Sequence, residues 1–387
     1  MRVVKPVGPP PPIRYTAREL VRQPALIVWC LYLILTPFYV IASGLPQPGD
    51  ALVFLLVPMA LAGWDGRIDK PTMRPLRALL WFLGWVFLVN FAWACIQWKW
   101  TNPKDFVIHP FFYAYNIAVL FAAVIMAKRE PGRFLRLTVE VSFYMVVFQV
   151  VASFFYRTDL YRGTLFFNSP NQLGYYALLS ACLFAMTQKP LGLGRLWAGI
   201  GVSSCAYLAV LSSSRAALAG ILILLLFLVF ANPKAIIAGA LVAVGLTMIG
   251  GPISDALEFS QHRATENRAP NVSFSEERGY ERIWMNPEYL LTGAGEGDYQ
   301  RFARPDQSAR EIHSSLGAVL FGYGVIGLML FMAFALRLVK GSARRTALML
   351  APIVPYTIAH QGLRFTMFWV VLGAFLILKQ MHTRPAK

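Results

Sequence analysis

Long apolar blocks alternate with short polar connections along most of the chain. Blocks without a charged residue include 25–41, 79–96, 141–155 and 221–230. A hydrocarbon core of roughly 30 Å requires about 17–25 predominantly apolar residues per helix. The pattern therefore predicts an all-α polytopic membrane protein. Because the blocks recur towards the C-terminus, one removable signal peptide does not explain them.

We predict about twelve transmembrane helices and one long loop. The helices cover roughly 25–42, 51–63, 79–97, 107–127, 137–155, 171–187, 196–211, 216–231, 235–251, 314–336, 346–359 and 365–380. The second is short and contains Pro58, so eleven helices and a re-entrant segment also fit. The predicted regions are an N-terminal tail (1–24), helices 1–9 (25–251), a loop domain (252–312), helices 10–12 (313–381) and a C-terminal tail (382–387).

Charge is distributed unevenly between the two sets of connections. One set holds 23 of the 36 basic residues and only five acidic ones, although the whole chain has a formal charge of +17. Lys and Arg near helix ends mark the cytoplasmic side, so we expect both termini to be cytoplasmic. The basicity then predicts contact with anionic membrane lipid and no binding of nucleic acid. All four cysteines lie within apolar blocks, where they pack as small hydrophobic residues.

The opposite side carries the loop 252–312 and a group of polar residues at the predicted helix ends. The loop contains seven arginines and no lysine. Guanidinium groups pair bidentately with phosphate and keep their charge, so these arginines are candidates for binding a lipid pyrophosphate. The candidates are Arg157, Arg162, Arg215, Arg282 and Arg364, with Asn171, Ser214 and His360 as further substrate contacts. The alternative is that the arginines reach the lipid headgroups or pair with acidic residues of the loop.

His313 opens the tenth predicted helix and is the candidate general base. Gly317, Gly324 and Gly327 follow it near one helical face, where small residues allow close approach of a neighbouring helix. An imidazole titrates near neutral pH and suits proton abstraction; the alternative is a histidine that caps its helix.

The remaining signals are weaker. The segment 293–297 is glycine-rich but has no βαβ context, so we interpret it as a flexible turn. Glu296 and Asp298 offer a weak candidate cation site, and no other feature predicts a metal. We interpret His109 and His262 as structural.

The His313 region resembles the O-antigen ligase and polymerase superfamily of bacterial envelope glycosyltransferases. The motif is His-Ser at 313–314, nine residues, then Gly324, two residues and Gly327. The segments 168–172 and 213–215, together with Arg282 and the glycines at 293–295, are similar to further family motifs. The aromatic ending that usually follows the last glycine is absent. By motif the resemblance covers about 157–330.

The resemblance implies a fold like that of the GT-C-type lipid-linked-sugar transferases and a specific reaction. A glycan would leave undecaprenyl pyrophosphate for a sugar hydroxyl of lipid A–core, at the periplasmic face of the inner membrane. The reaction would invert the sugar and use no metal or other cofactor. His313 would act as the base and the arginines would stabilise the leaving pyrophosphate.

Two other functions remain open from the sequence. A polymerase would use the same donor and chemistry with a different acceptor. A transporter or flippase usually carries ionisable groups near the bilayer midplane, where this chain has almost none.

Overall fold

The computed structural model describes residues 14–42, 46–98, 104–156, 162–231, 273–302 and 311–383, and these ranges are helical without any strand. The α-helices are α1 (Ala17–Val21), α2 (Pro24–Leu35), α3 (Pro48–Ala51), α4 (Val53–Ala62), α5 (Lys70–Ile96), α6 (Lys104–Met126), α7 (Pro131–Ser153), α8 (Pro170–Thr187), α9 (Arg195–Ser212), α10 (Arg215–Ala231), α11 (Phe274–Glu277), α12 (Glu281–Met285), α13 (Ser315–Val339), α14 (Arg344–Leu348), α15 (Val354–Ala359) and α16 (Thr366–Thr383). Short 3₁₀ segments occupy Pro287–Tyr289, Tyr299–Phe302 and Ala351–Ile353.

The helices confirm the all-helical prediction and support a membrane-embedded protein. Within the described ranges, α5, α6, α7, α9 and α13 are long and apolar enough to cross a bilayer. Shorter apolar helices form at Pro24–Leu35, Pro48–Ala62, Arg215–Phe230 and Thr366–His382. The predicted ninth helix, 235–251, lies outside the described residues, as do 252–272 and 303–310 of the long loop.

Two predicted helices differ from the observed ones at prolines. The prediction of one helix over 346–359 is wrong, because this stretch divides into α14, a 3₁₀ turn and α15. Pro352 and Pro355 explain the division, since proline lacks the amide hydrogen and clashes with the preceding turn. Similarly α2 ends at Leu35, just before Pro37, and not near residue 42.

Helix α8 is the centre of the bundle. Every residue from 173 to 187 is buried, and the helix contacts α7, α9, α10 and α16. Its start is fixed by a capping box in which Ser169 accepts from the Gln172 amide (3.3 Å) and Gln172 accepts from the Ser169 amide (3.2 Å). Part of the 168–172 motif is therefore explained by helix capping.

Helix α13 is broken at Gly324, whose φ of 67° and ψ of −174° are far from helical. The loop before α13 pairs with this break: Ala294 and Gly295 donate to the carbonyls of Phe321 and Gly322 at 2.8 Å, and Val325 donates to Leu290 at 2.7 Å. The break and the loop thereby satisfy each other's backbone groups, which an apolar bundle cannot leave unpaired. The expectation that Gly324 belongs to a continuous helical stripe is wrong. The segment 293–297, interpreted above as a flexible turn, is instead buried throughout.

Helix α5 holds this paired segment in place through three polar side chains. The indoles of Trp85 and Trp93 donate to the carbonyls of Tyr323 (2.8 Å) and Gly293 (2.9 Å). Asn90, which is fully buried, donates to the Glu296 carbonyl at 2.9 Å and accepts from its amide at 3.1 Å. The loop thus becomes a fixed part of the bundle.

We expect Gly324→Ala to destabilise the folded protein. A Cβ at Gly324 would overlap the backbone of Leu291, and the dihedral region is essentially restricted to glycine. The strain alone costs on the order of 1–3 kcal/mol. Thermal unfolding in detergent, followed by size-exclusion chromatography, should show a lower midpoint.

Gly84→Ala is the matched control, since nothing lies within 4 Å of its added Cβ and it lies inside helix α5. Equal midpoints for the two variants would contradict the role of the break.

Candidate functional site

The predicted site residues that the structure describes gather at one end of the bundle. They are Arg162, Asn171, Ser214, Arg215, Arg282, His313, His360 and Arg364, and they follow or precede the ends of α8, α9, α10, α13, α15 and α16. Arg157 lies outside the described residues. Their contacts form two regions, one around His313 and His360 and one around Arg364.

The turn that carries Arg215 is tightly packed against α8. Helix α9 ends with Ser213 in the left-handed region (φ 48°), and α10 begins at Arg215. Gly174 allows the close approach, because a Cβ there would lie 2.6 Å from Ser212 Oγ and 2.9 Å from the Ser214 Cβ. Ser214 is buried and its hydroxyl has no hydrogen-bond partner within the described part of the chain. The Arg215 side chain is exposed.

Arg162 ties this turn to the start of α8. Its Nε donates to the Ser212 carbonyl and its Nη2 donates to Asn171 Oδ1, both at 3.1 Å. The Asn171 carbonyl in turn accepts from the Tyr356 hydroxyl of α15 at 3.0 Å. Arg162 and Asn171, separately predicted as substrate contacts, are therefore direct neighbours.

His313 is exposed immediately before α13. Its amide donates to the Arg278 carbonyl at 3.0 Å. The next residue, Ser314, caps α13 by accepting from the Gly317 amide at 3.0 Å, and its Oγ lies 2.7 Å from the Tyr280 hydroxyl. His313 therefore projects from a rigidly capped helix start, which suits a side chain that must meet a substrate.

Ser315 joins the backbone of His360 to α13. The His360 carbonyl accepts from the Ser315 amide at 3.1 Å and from its hydroxyl at 3.0 Å, and the hydroxyl oxygen accepts from the Gly362 amide at 2.8 Å. The His360 ring lies 4.8 Å from the Tyr356 ring. The two histidines are thus carried by neighbouring, hydrogen-bonded segments.

Arg278 is a functional candidate that the sequence reasoning missed. Its Nη1 donates to the Ala359 carbonyl at 2.8 Å and lies 3.5 Å from His360 Nδ1. Because its own carbonyl binds the His313 amide, Arg278 bridges the two histidine segments. The arginine-rich, lysine-free loop was the available signal, but nothing in the sequence distinguished Arg278 from the other arginines of the loop. Arg278 also forms an ion pair with Glu277 at 3.6 Å.

The electrostatic field of this region favours negative charge. Burial, and then repulsion from Arg278, His313 and Arg162, lower the pKa of His360 from 6.5 to about 4. Burial disfavours the charged imidazolium, and the three basic groups nearby disfavour it further. His360 is therefore neutral at pH 7 and available as a hydrogen-bonding group.

Arg364 belongs to a separate, acid-rich network. Its Nη2 lies 2.6 Å from Glu296 Oε2, 2.8 Å from Glu311 Oε1 and 3.2 Å from the Tyr299 hydroxyl. Glu296 is buried and also accepts from the Tyr113 hydroxyl at 2.6 Å. This arrangement matches the alternative in which an arginine pairs with acids of the loop. Burial lowers the pKa of Arg364, but Glu296 and Glu311 more than offset this and raise it.

Two further arginines of the loop lie against aromatic rings. Arg282 lies 5.6 Å from the Phe302 ring and 6.0 Å from the Phe321 ring, and burial lowers its pKa. Arg301 lies 4.5 Å from the Phe302 ring and 4.8 Å from the Phe106 ring, and donates to the Ala294 carbonyl. Burial lowers the pKa of Arg301 to about 10. Arg301 secures the paired loop, whereas Arg282 lies 5.9 Å from the ring of Tyr299, a partner of Arg364.

The described ranges contain no group of three or more His, Cys, Asp or Glu side chains placed to hold a metal ion. Glu296, half of the weak candidate cation site, is engaged by Tyr113 and Arg364.

We expect His360 to make folding sensitive to mild acid. Its folded-state pKa (about 4) lies below its ordinary value of 6.5, so the unfolded chain binds the proton more readily between these limits. The free energy of unfolding should therefore fall as the pH drops from about 6.5 to about 4. Chemical unfolding in detergent should show that this free energy falls less over the same pH range in His360→Gln than in the unmodified protein. An equal fall in the two proteins would mean that the pKa of His360 is not lowered by folding.

Comparison with known proteins adds no assignment to this geometry. No protein-family model matches the chain, and no curated protein matches it. The function must therefore be argued from the residues and contacts themselves.

Proposed function

We propose that the chain is an O-antigen ligase-type glycosyltransferase. It transfers a glycan from undecaprenyl pyrophosphate to a sugar hydroxyl of lipid A–core, at the periplasmic face of the bacterial inner membrane. The reaction inverts the anomeric carbon and is independent of metal. The proposal includes cytoplasmic termini, about twelve transmembrane helices and a GT-C-like fold.

One observation carries the proposal: His313 is exposed at a cationic rim at the end of an apolar helical bundle. Arg278 contacts the segments that hold His313 and His360. The charge of Arg162 acts on His360, and Arg215 is exposed on the turn that Arg162 contacts. A cationic rim suits a lipid pyrophosphate, because its charge requires guanidinium donors while its chain requires apolar surroundings. A neutral substrate would not require this charge.

The chemistry follows from the donor. The acceptor hydroxyl oxygen attacks C1 while the bond from C1 to the pyrophosphate oxygen breaks, and the pyrophosphate departs with the bonding electrons. His313 takes the hydroxyl proton as the new bond forms. The arginines stabilise the negative charge that develops on the leaving group.

The arginines predicted to bind pyrophosphate have different environments. Arg162 and Arg215 lie on the His313 side, and Arg278 joins them there. Arg364 is balanced by two carboxylates, so in the proposal it supports the loop and does not contact the donor. Arg282 lies against the Tyr299 ring of that network and keeps its predicted role as a donor contact.

The alternative acceptor is a second lipid-linked glycan, which would make the protein a polymerase. Both reactions use the same base and leaving group. Purified protein in proteoliposomes with a polyprenyl-pyrophosphate glycan and either lipid A–core or excess donor separates them. Glycosylated lipid A–core supports the ligase, whereas lengthened donor alone contradicts it.

We expect His313→Ala to slow glycan transfer at least about a hundredfold, since general-base catalysis contributes roughly 10²–10⁴-fold. Donor binding should persist, because the arginines remain. His313→Gln distinguishes a base from a hydrogen-bonding group: near-normal turnover in this variant would rule out the base. The matched control is His382→Ala, an exposed histidine near the end of α16, which should transfer at the normal rate.

We expect Arg215→Lys to remain impaired, because an ammonium group cannot reproduce the bidentate guanidinium contact. Loss of one charge-assisted bond costs on the order of 1.5–3 kcal/mol, or about 10–150-fold in transfer. Arg195→Ala, at the opposite end of α9, is the control. Normal transfer by Arg215→Ala at normal abundance would exclude the role. Transfer should persist in EDTA, and Mg²⁺-dependent recovery after its loss would contradict the arginine mechanism.

A further inference from the structure

An apolar groove runs between α4, α5 and α6 and belongs to no part of the site described above. It encloses about 330 Å³ and is lined only by aliphatic and aromatic residues. Its floor is formed by Ala114, Ala118 and Ala122, which are four residues apart and so lie along one face of α6. Leu61 of α4 and Leu80 of α5 flank it.

The groove leads away from the candidate site. Tyr113, beside its upper limit, reaches Glu296, whereas Ile125 and Trp64 line its far end. Ile125 lies eleven positions after Ala114 on α6, which corresponds to a rise of about 16 Å. An α-helix with its side chains is about 10 Å wide, so this narrow volume suits a single hydrocarbon chain.

Positive charge collects where the groove ends. Trp64 Nε1 donates to the Arg67 carbonyl at 3.5 Å, and Lys128 forms an ion pair with Asp65. Arg67 and Arg129 are exposed and lie close to this pair in the sequence. The nearby acids Glu130 and Asp69 are engaged elsewhere, by Arg133 and by Thr72 and Gln380. Basic groups with a tryptophan at a helix end are typical of contact with anionic headgroups.

We propose that this groove binds one acyl chain of an anionic phospholipid, with the headgroup phosphate held by Arg67 and Lys128. The charge at the end of the groove selects an anionic over a zwitterionic lipid. The polyprenyl donor is a poor occupant, because Arg162, Arg215 and Arg278 lie at the opposite end of the bundle. The proposal does not depend on the glycosyltransferase activity.

Asp65 competes with the phosphate for Lys128 in this arrangement. The hydrogen bond from Lys128 is the largest cause that lowers the pKa of Asp65, so the carboxylate is charged at neutral pH. Replacing it by a neutral amide removes a negative charge that repels the headgroup phosphate. Asp65→Asn should therefore bind phosphatidylglycerol about fivefold more tightly.

The test measures lipid retained by the full chain. The protein is first placed in nanodiscs that contain equal amounts of phosphatidylglycerol and phosphatidylcholine and is then transferred to detergent. Native mass spectrometry gives the mass of the protein together with any lipid that it retains. We expect one retained phosphatidylglycerol. Ala118→Phe, which fills the groove, should lose it, whereas Ala92→Phe, on the exposed face of α5, should keep it. The pair Arg67→Gln and Lys128→Gln should reduce the preference for phosphatidylglycerol about tenfold.

Three results would overturn the proposal. The first is equal retention of the two lipids by the unmodified chain, and the second is equal retention by the Ala118→Phe and Ala92→Phe proteins. The third is conversion of a dimer to a monomer by Ala118→Phe, since a second copy would then be the occupant. If Ala118→Phe does not fold, Arg67→Gln and Lys128→Gln test the proposal, because neither changes the lining of the groove. An unaltered preference for phosphatidylglycerol in both of these variants would exclude the phosphate site.

Discussion

The unwound turn at Gly324 is the constraint on which the rest of the structure depends. A broken helix exposes amides and carbonyls that an apolar environment cannot satisfy, so another segment must supply partners. The loop at 290–295 does so, and α5 fixes that loop through Trp85, Asn90 and Trp93. Because α13 begins directly after His313, the same interaction determines where the candidate base lies.

The loop also determines the electrostatic division of the site. By carrying Glu296 into the bundle, it places a buried carboxylate against Arg364. A buried ion pair needs further hydrogen bonds to offset its desolvation. The Tyr113 hydroxyl donates to Glu296, and the Tyr299 hydroxyl accepts from Arg364. The opposing region around His360 is dominated by positive charge. Two regions of different charge thus lie side by side, one suited to holding the loop and one suited to holding an anion.

The sequence predicted helix positions well where a capping residue borders the apolar block. Residues 171–187, for example, form α8 (Pro170–Thr187) because a capping box fixes its start. The prediction failed at 346–359, where hydropathy is high but Pro352 and Pro355 prevent a continuous helix. At Gly324, periodicity could not distinguish a packing stripe from a break, because both require glycine. The sequence did not show that Arg278 contacts His360 or that Glu296 pairs with Arg364, because each contact joins segments far apart in the chain.

The neutral state of His360 has a consequence for the proposed reaction. A protonated His360 beside Arg278 would add positive charge and bind the donor pyrophosphate more tightly in the ground state. Binding that is equal in the ground state and transition state does not accelerate the chemical step. A neutral imidazole can instead donate or accept one oriented hydrogen bond. Burial, reinforced by the nearby positive charge, keeps His360 neutral. Charge stabilisation is therefore left to the guanidinium groups, whose donors are positioned by Ser212, Asn171 and Ala359.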